Sequence, residues 1–195
     1  LADCATTTGG DGTVTLTCGN TITVPTDNNS GNNPSTNANL QVFAAPISLT
    51  VGSGVTIDGW GMLLGHPQAV SATPRPITVV NNGVVRHSVA YESLGEGDDG
   101  YGLRLISNSG PISYSGNGSV STNATGGLNV ALTMFTSGQA NLVTFGSQAA
   151  PVTGTFSGEY GVLLVAQDGG VKAWFSGGSI TATGANTGAG ALDVT

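Results

Sequence analysis

The chain has 195 residues, of which only 8% are charged while 32 are glycine, and its net charge is -7; a typical soluble domain has about 25% charged residues. One lysine and three arginines cannot neutralise a run of phosphates, which excludes a nucleic-acid partner, and strong helix formers are too scarce to build exposed helix faces. A hydrophobic content of 38% still supplies a core, so composition predicts one all-β domain spanning 1–195.

Cys4 and Cys18 come first along the chain, and they are its only cysteines. A disulfide closing that short loop stabilises by about 3 kcal/mol and implies an oxidising compartment; two unpaired buried thiols are the alternative. Leu1-Ala2-Asp3-Cys4 has the outline of a lipoprotein signal box, but Asp3 stands where a small residue belongs. The expectation is an exported chain whose leader has been removed. Alternating β-branched strands follow at Thr13 to Thr17 and Thr21 to Val24. The polar run from Thr26 to Asn37 has no apolar anchor and reads as a surface insertion loop, so residues 1–38 form an N-terminal cap and 39–195 the repeating body.

Further strands are predicted at Ile47 to Val51 and Val55 to Ile57. Pro67, Pro74 and Pro76 then rule out a central strand between His66 and Pro76. No apolar run reaches the roughly 18 residues of a membrane-spanning helix. A later break contains Glu96, Asp98 and Asp99 between glycines, a spacing in which oxygens can converge on calcium; a solvated acidic turn is the competing reading.

From Tyr101 onward the chain repeats itself. Gly102, Gly127, Gly161 and Gly190 each precede an apolar strand, and the phrases beginning at Ser115, Thr153 and Ser176 share a Gly-rich, hydroxylated pattern. Repetition at this period predicts a right-handed parallel β-helix of six to eight coils, a single-stranded β-solenoid, each coil taking about 20–30 residues. Scarce charge fits this arrangement, because a charge recurring in every coil would face its copy at about 4.8 Å. An antiparallel β-sandwich is the alternative. The strand of the last unit runs to Thr195 without a polar cap, so the expectation is a longer protein or another element covering the final coil.

The phrases Val51-Gly52-Ser53-Gly54-Val55-Thr56-Ile57-Asp58-Gly59 and Ser176-Gly177-Gly178-Ser179-Ile180-Thr181, the latter followed by Gly188-Ala189-Gly190-Ala191-Leu192-Asp193-Val194, resemble the repeat units of autotransporter passenger domains. That resemblance implies a β-helix displayed on the surface of a Gram-negative cell, and an extracellular location. Neither a serine-protease Gly-Asp-Ser-Gly motif nor an Arg-Gly-Asp triplet occurs, so no subfamily activity is carried over.

The reading that follows is a non-enzymatic stalk or adhesin whose partner is a protein or glycan on another cell, or a second copy of itself. Trp60, Tyr91, Tyr101 and Trp174 are its candidate contact residues. A carbohydrate-active lyase or hydrolase is the enzymatic alternative, drawing on Asp58, His66, Arg86, His87 and Glu92. Ice binding is a third reading, through Thr13, Thr15 and Thr17, Thr21 and Thr23, or Thr181 and Thr183; the pattern is expected to lapse in the middle coils.

Overall fold

The structure is a computed structural model that describes residues 4–23, 40–59, 61–67, 73–88, 100–123, 129–137, 141–184 and 190–195. Among them there is no helix. The strands in chain order are β1 (Cys4–Thr8), β2 (Val14–Cys18), β3 (Ile22–Thr23), β4 (Leu40–Val42), β5 (Ile47–Val51), β6 (Thr56–Asp58), β7 (Met62–Gly65), β8 (Ile77–Asn81), β9 (Val84–His87) and β10 (Leu103–Ser107). They continue as β11 (Ile112–Ser115), β12 (Ser119–Thr122), β13 (Val130–Thr136), β14 (Leu142–Phe145), β15 (Thr155–Gly158), β16 (Tyr160–Ala166), β17 (Gly170–Ala173), β18 (Ser179–Ala182) and β19 (Leu192–Val194).

These strands make three sheets, and each strand from β5 onward pairs with the strand three before it. Sheet A runs β1-β2-β5-β8-β11-β14-β17, sheet B β3-β6-β9-β12-β15-β18 and sheet C β4-β7-β10-β13-β16-β19. The chain therefore passes through A, B and C in a fixed cycle. Only β1 and β2 pair antiparallel, and every other named strand pair is parallel. This overturns the antiparallel sandwich: Asn-Gly turns are too few to fold each strand back on its predecessor, and linkers of varied length carry the chain to the next sheet instead.

Alternation along each strand sends every second side chain inward, so equivalent positions stack into columns. Sheet A contributes Leu16, Leu49, Val79, Tyr114 and Phe145; sheet B contributes Ile57, Val85, Val120 and Phe156; sheet C contributes Leu64, Leu105, Met134 and Leu164. All are buried, and they belong to one core cluster. The inner columns of sheet C end at Leu192 and Val194, which are 44% and 51% exposed. At the other end β1 pairs with β2, and Cys4 and Cys18 sit opposite each other in a disulfide.

Register corrects part of the sequence overlay. Gly102 and Gly161 are equivalent, but their partners are Ala131 and Ala191, one residue before Leu132 and Leu192, not Gly127 and Gly190. A Cβ on Gly102 would overlap the carbonyl oxygens of Ser121 and Ala131, and one on Gly161 that of Ala191, so these two cycles need glycine while the equivalent positions of the next cycles hold alanine, and a glycine-based overlay slips there. The hydroxylated phrases overlay through Gly83, Gly118, Gly154 and Gly178. There glycine is obligatory: a Cβ on Gly118 would overlap the carbonyl oxygen of Gly83, one on Gly154 that of Gly118, and one on Gly178 that of Gly154. Backbone thus presses on backbone at the entrance to sheet B.

A second repeat went unread in the sequence. Pro46-Ile47-Ser48, Pro76-Ile77-Thr78 and Pro111-Ile112-Ser113 are aligned across β5, β8 and β11. Each proline directly precedes a strand, where its missing N–H costs the ladder little. Their carbonyls accept instead, Pro46 from the Val14 amide, Pro76 from Ile47 and Pro111 from Ile77.

Candidate interaction surface

The outward positions differ from sheet to sheet. On sheet A one column reads Thr7, Thr15, Ser48, Thr78, Ser113, Thr144 and Lys172, one residue from each of seven strands. Beside it run Ala5, Thr17, Thr50, Val80 and Ser115. The Thr-x-Thr pairs do lapse in the middle strands, which present Ser48 with Thr50, Thr78 with Val80 and Ser113 with Ser115, but a hydroxyl column continues there because serine alternates with threonine, which hides it from a search for threonine alone. Short hydroxyl side chains stack at strand spacing, about 4.8 Å, without the repulsion that repeated charges would incur.

Sheet B presents Arg86, Ser121, Ser157 and Thr181 in one outward column. Asp58 belongs to the same face. Its Oδ2 accepts from the Arg86 guanidinium at 2.6 Å, while Oδ1 accepts from the Ser88 hydroxyl and the Gly59 amide. The Arg86 hydrogen bond holds the Asp58 carboxyl below its ordinary value, outweighing the opposing effect of burial, and Ser88 and Gly59 assist. Asp58 is thus committed to an ion pair on the face rather than poised as a proton donor.

The outward face of sheet C carries an apolar column beside a mixed one. Val42, Gly65, Ile106, Phe135 and Val165 form one column, and Leu63, Arg104, Thr133, Leu163 and Asp193 the next. Arg104 lies over the Tyr101 ring, 5.3 Å from its centroid, a cation–π contact. Tyr101 and Tyr160 occupy equivalent positions two cycles apart, with the buried Val130 between them.

Both histidines are buried, each at the end of a strand. The Ala45 carbonyl can only accept, so His66 Nε2 carries the proton to it at 3.0 Å, and Nδ1 accepts from the Ser107 hydroxyl at 3.0 Å. His66 thereby links three successive cycles. Burial pushes its pKa down, the Ala45 bond opposes this, and the charge of Arg75 adds to the lowering. Burial likewise lowers His87, against a hydrogen bond to the Tyr101 backbone. A further buried polar group, Asn81, donates to the Tyr114 hydroxyl at 3.0 Å and accepts from the Gly83 amide at 3.1 Å.

Of the residues singled out in the sequence, Tyr101 and Trp174 are half-buried and lie apart: Tyr101 enters sheet C, whereas Trp174 follows β17 of sheet A. Trp60, Tyr91, Glu92, Glu96, Asp98 and Asp99 lie outside the described residues, as does the polar run from Thr26 to Asn37. Among the described residues no group of three or more His, Cys, Asp or Glu side chains is placed to hold a metal ion. No described helix is long and apolar enough to cross a membrane. The hydroxyl column of sheet A is the feature that sequence reasoning missed; its signal was the Pro-Ile-Ser/Thr recurrence. No family model, curated protein or solved structure matches the chain.

Proposed function

We propose that the chain is a right-handed parallel β-helix serving as a stalk or adhesive face of a secreted bacterial surface protein, of the autotransporter passenger type, without enzymatic activity. The fixed A, B, C cycle supports the helical part, since crossovers between parallel strands of one sheet are almost always right-handed. The buried disulfide is compatible with an oxidising, extracellular location.

One observation carries the functional reading: a column of hydroxyl side chains continues in register from Thr7 to Thr144 over six strands of sheet A before Lys172, giving a long, regular, uncharged stretch on a chain of net charge -7. Such a face suits repeated weak contacts with a glycan, a protein or another copy, and it places no acid–base pair where a bond could be cleaved. Protein-coated beads provide the test. The expected result is clumping, or capture of glycan-bearing or protein-bearing partner beads, with no release of reducing ends from neutral or acidic polysaccharides. Polysaccharide cleavage by the chain, or beads that neither clump nor capture anything, overturns the reading.

A further inference from the structure

We infer that the Cys4–Cys18 disulfide is a redox lock on the strand edge at the start of sheet A: reduction frees β1, and the edge of β2 that it covered then pairs with β2 of a second copy. The inference is independent of the adhesive reading above. Cys4 is the buried residue of β1 and the four that follow it are exposed, so this strand adds one side chain to the core. β2 is anchored differently, with Val14, Leu16 and Cys18 buried and a parallel ladder to β5 along its whole length. Opening the disulfide therefore loosens β1 and leaves β2 in place. A dithiol supplies the reduction. One thiolate attacks the Cys4 sulfur, Cys18 leaves as a thiolate and takes up a proton, and the second thiol resolves the mixed disulfide. The S–S bond gains two electrons and two protons, and the dithiol is oxidised to a cyclic disulfide.

What reduction uncovers is a row of backbone groups ready to accept another strand. On the far side of β2 the Val14 amide donates to the Pro46 carbonyl, and the Cys18 carbonyl accepts from the Gly52 amide. Alternation turns the N–H and C=O groups of Thr15 and Thr17 the other way, towards Thr7 and Ala5 of β1. The order Val14-Thr15-Leu16-Thr17-Cys18 alternates apolar residues with threonine about Leu16, so it presents the same pattern in both directions. An antiparallel copy with Leu16 against Leu16 sets Thr15 against Thr17 and Val14 against Cys18, and the threonine backbones regain their partners. β1, by contrast, places the hydroxyls of Thr6 and Thr8 opposite Leu16 and Val14. A second copy thus covers apolar positions with apolar side chains where β1 offers hydroxyls, and β1 holds the edge only while the disulfide keeps it there. Such a contact is the same patch on both copies, so it closes on a dimer.

The experiment follows the full chain before and after dithiothreitol, with thiol titration to confirm reduction, sedimentation over a range of concentrations for mass, and hydrogen exchange for each strand. A Cys4→Ala/Cys18→Ala variant supplies the open state without reagent. Thr15 and Thr17 point outward, so charges there spare the core while meeting their counterparts across the proposed contact. The oxidised chain is expected to be monomeric with β1 protected. Reduction, or the alanine pair, should double the mass as concentration rises, with protection lost in β1 and kept in β5 to β17. The reduced Thr15→Lys/Thr17→Lys and Thr15→Glu/Thr17→Glu variants should each stay monomeric, and an equal mixture of the two should dimerise. Protection of β1 that survives reduction overturns the lock, as does its loss throughout the chain. A freed β1 without a doubling of mass overturns the second copy as occupant. Dimers that form equally in the oxidised chain, that both charged variants retain alone, or that their mixture fails to restore overturn the β2 contact. None of these results bears on polysaccharide cleavage or bead capture, so the adhesive reading stands or falls separately.

Discussion

The early and late cycles share one topology but are held together by different means. In β2 to β9 the inner columns of sheets A and B are aliphatic, with Leu16, Leu49, Val79, Ile57 and Val85. In β11 to β17 aromatic rings take over: Phe145 stacks on Tyr114 at 5.6 Å and on Phe175 at 6.3 Å, and Phe156 meets Tyr114, Phe145 and Phe175 edge-on. The connection between A and B changes with the filling. Between β8 and β9 it is the pair Asn82-Gly83, whereas between β14 and β15 it spans 146–154 and adds Val152, buried and bridged to Phe175. Rings need more room than aliphatic side chains, and the longer connection supplies it. Asn81 marks the junction, its amide reaching up from the last aliphatic cycle to the first ring, Tyr114, whose buried hydroxyl is pushed well above its ordinary pKa by desolvation. Stacked architectures couple mainly neighbour to neighbour, so the two halves are expected to respond separately to local damage.

The largest effect is expected from Phe145→Ala, which removes a ring that, like Phe156, touches the other three. Its cost is about 3–5 kcal/mol. Hydrogen exchange should lose protection in β11 to β17 while β2 to β8 stay protected; a uniform loss throughout the chain would show that the halves unfold as one. Replacing Cys4 and Cys18 by serine should cost about 3 kcal/mol, with the lost protection centred on β1 and β2. A shift of that size in the ring cluster would contradict the proposed separation.

Acid should act on the early half, because His66 follows β7 and His87 ends β9. Both are held neutral by burial, so their folded pKa values lie below the ordinary 6.5. Stability from this source is complete above that value and is lost as the pH falls from 6.5 towards the folded pKa, where the unfolded chain binds more protons. Urea titrations at pH 7.5 and 5 should differ, and His66→Gln should flatten the difference. An identical midpoint at both values would remove the histidines from the account. The smallest effect is expected from Asp58→Asn: an ion pair whose Arg86 partner is half exposed contributes about 0–1 kcal/mol. Because the folded pKa of Asp58 is depressed, that contribution is present above its ordinary 3.8 and lost as pH falls through the folded value. A larger loss would mark the face of sheet B as a stability element.

Much of the class was legible beforehand. Ile47 to Val51 alternate in and out as their sequence suggests, and the break from His66 to Pro76 contains no described strand. The apolar strands after Gly102 and Gly161 were identified, yet their alignment through Gly127 and Gly190 failed, because alanines, Ala131 and Ala191, stand at the positions in register with those glycines. The hydroxyl column was illegible for a related reason. Ser48, Thr78 and Ser113 are each unremarkable in isolation, and only strand pairing brings them into line.

Local chemistry in the amino-acid order thus determined the all-β character, the inward and outward alternation, the turns and the scarcity of charge, since each depends on neighbours within a few residues. Tertiary structure decided which positions stand above one another. Parallel pairing joins residues about 30 apart through backbone groups that every residue possesses, and connections of unequal length hide the register until the sheets are assembled.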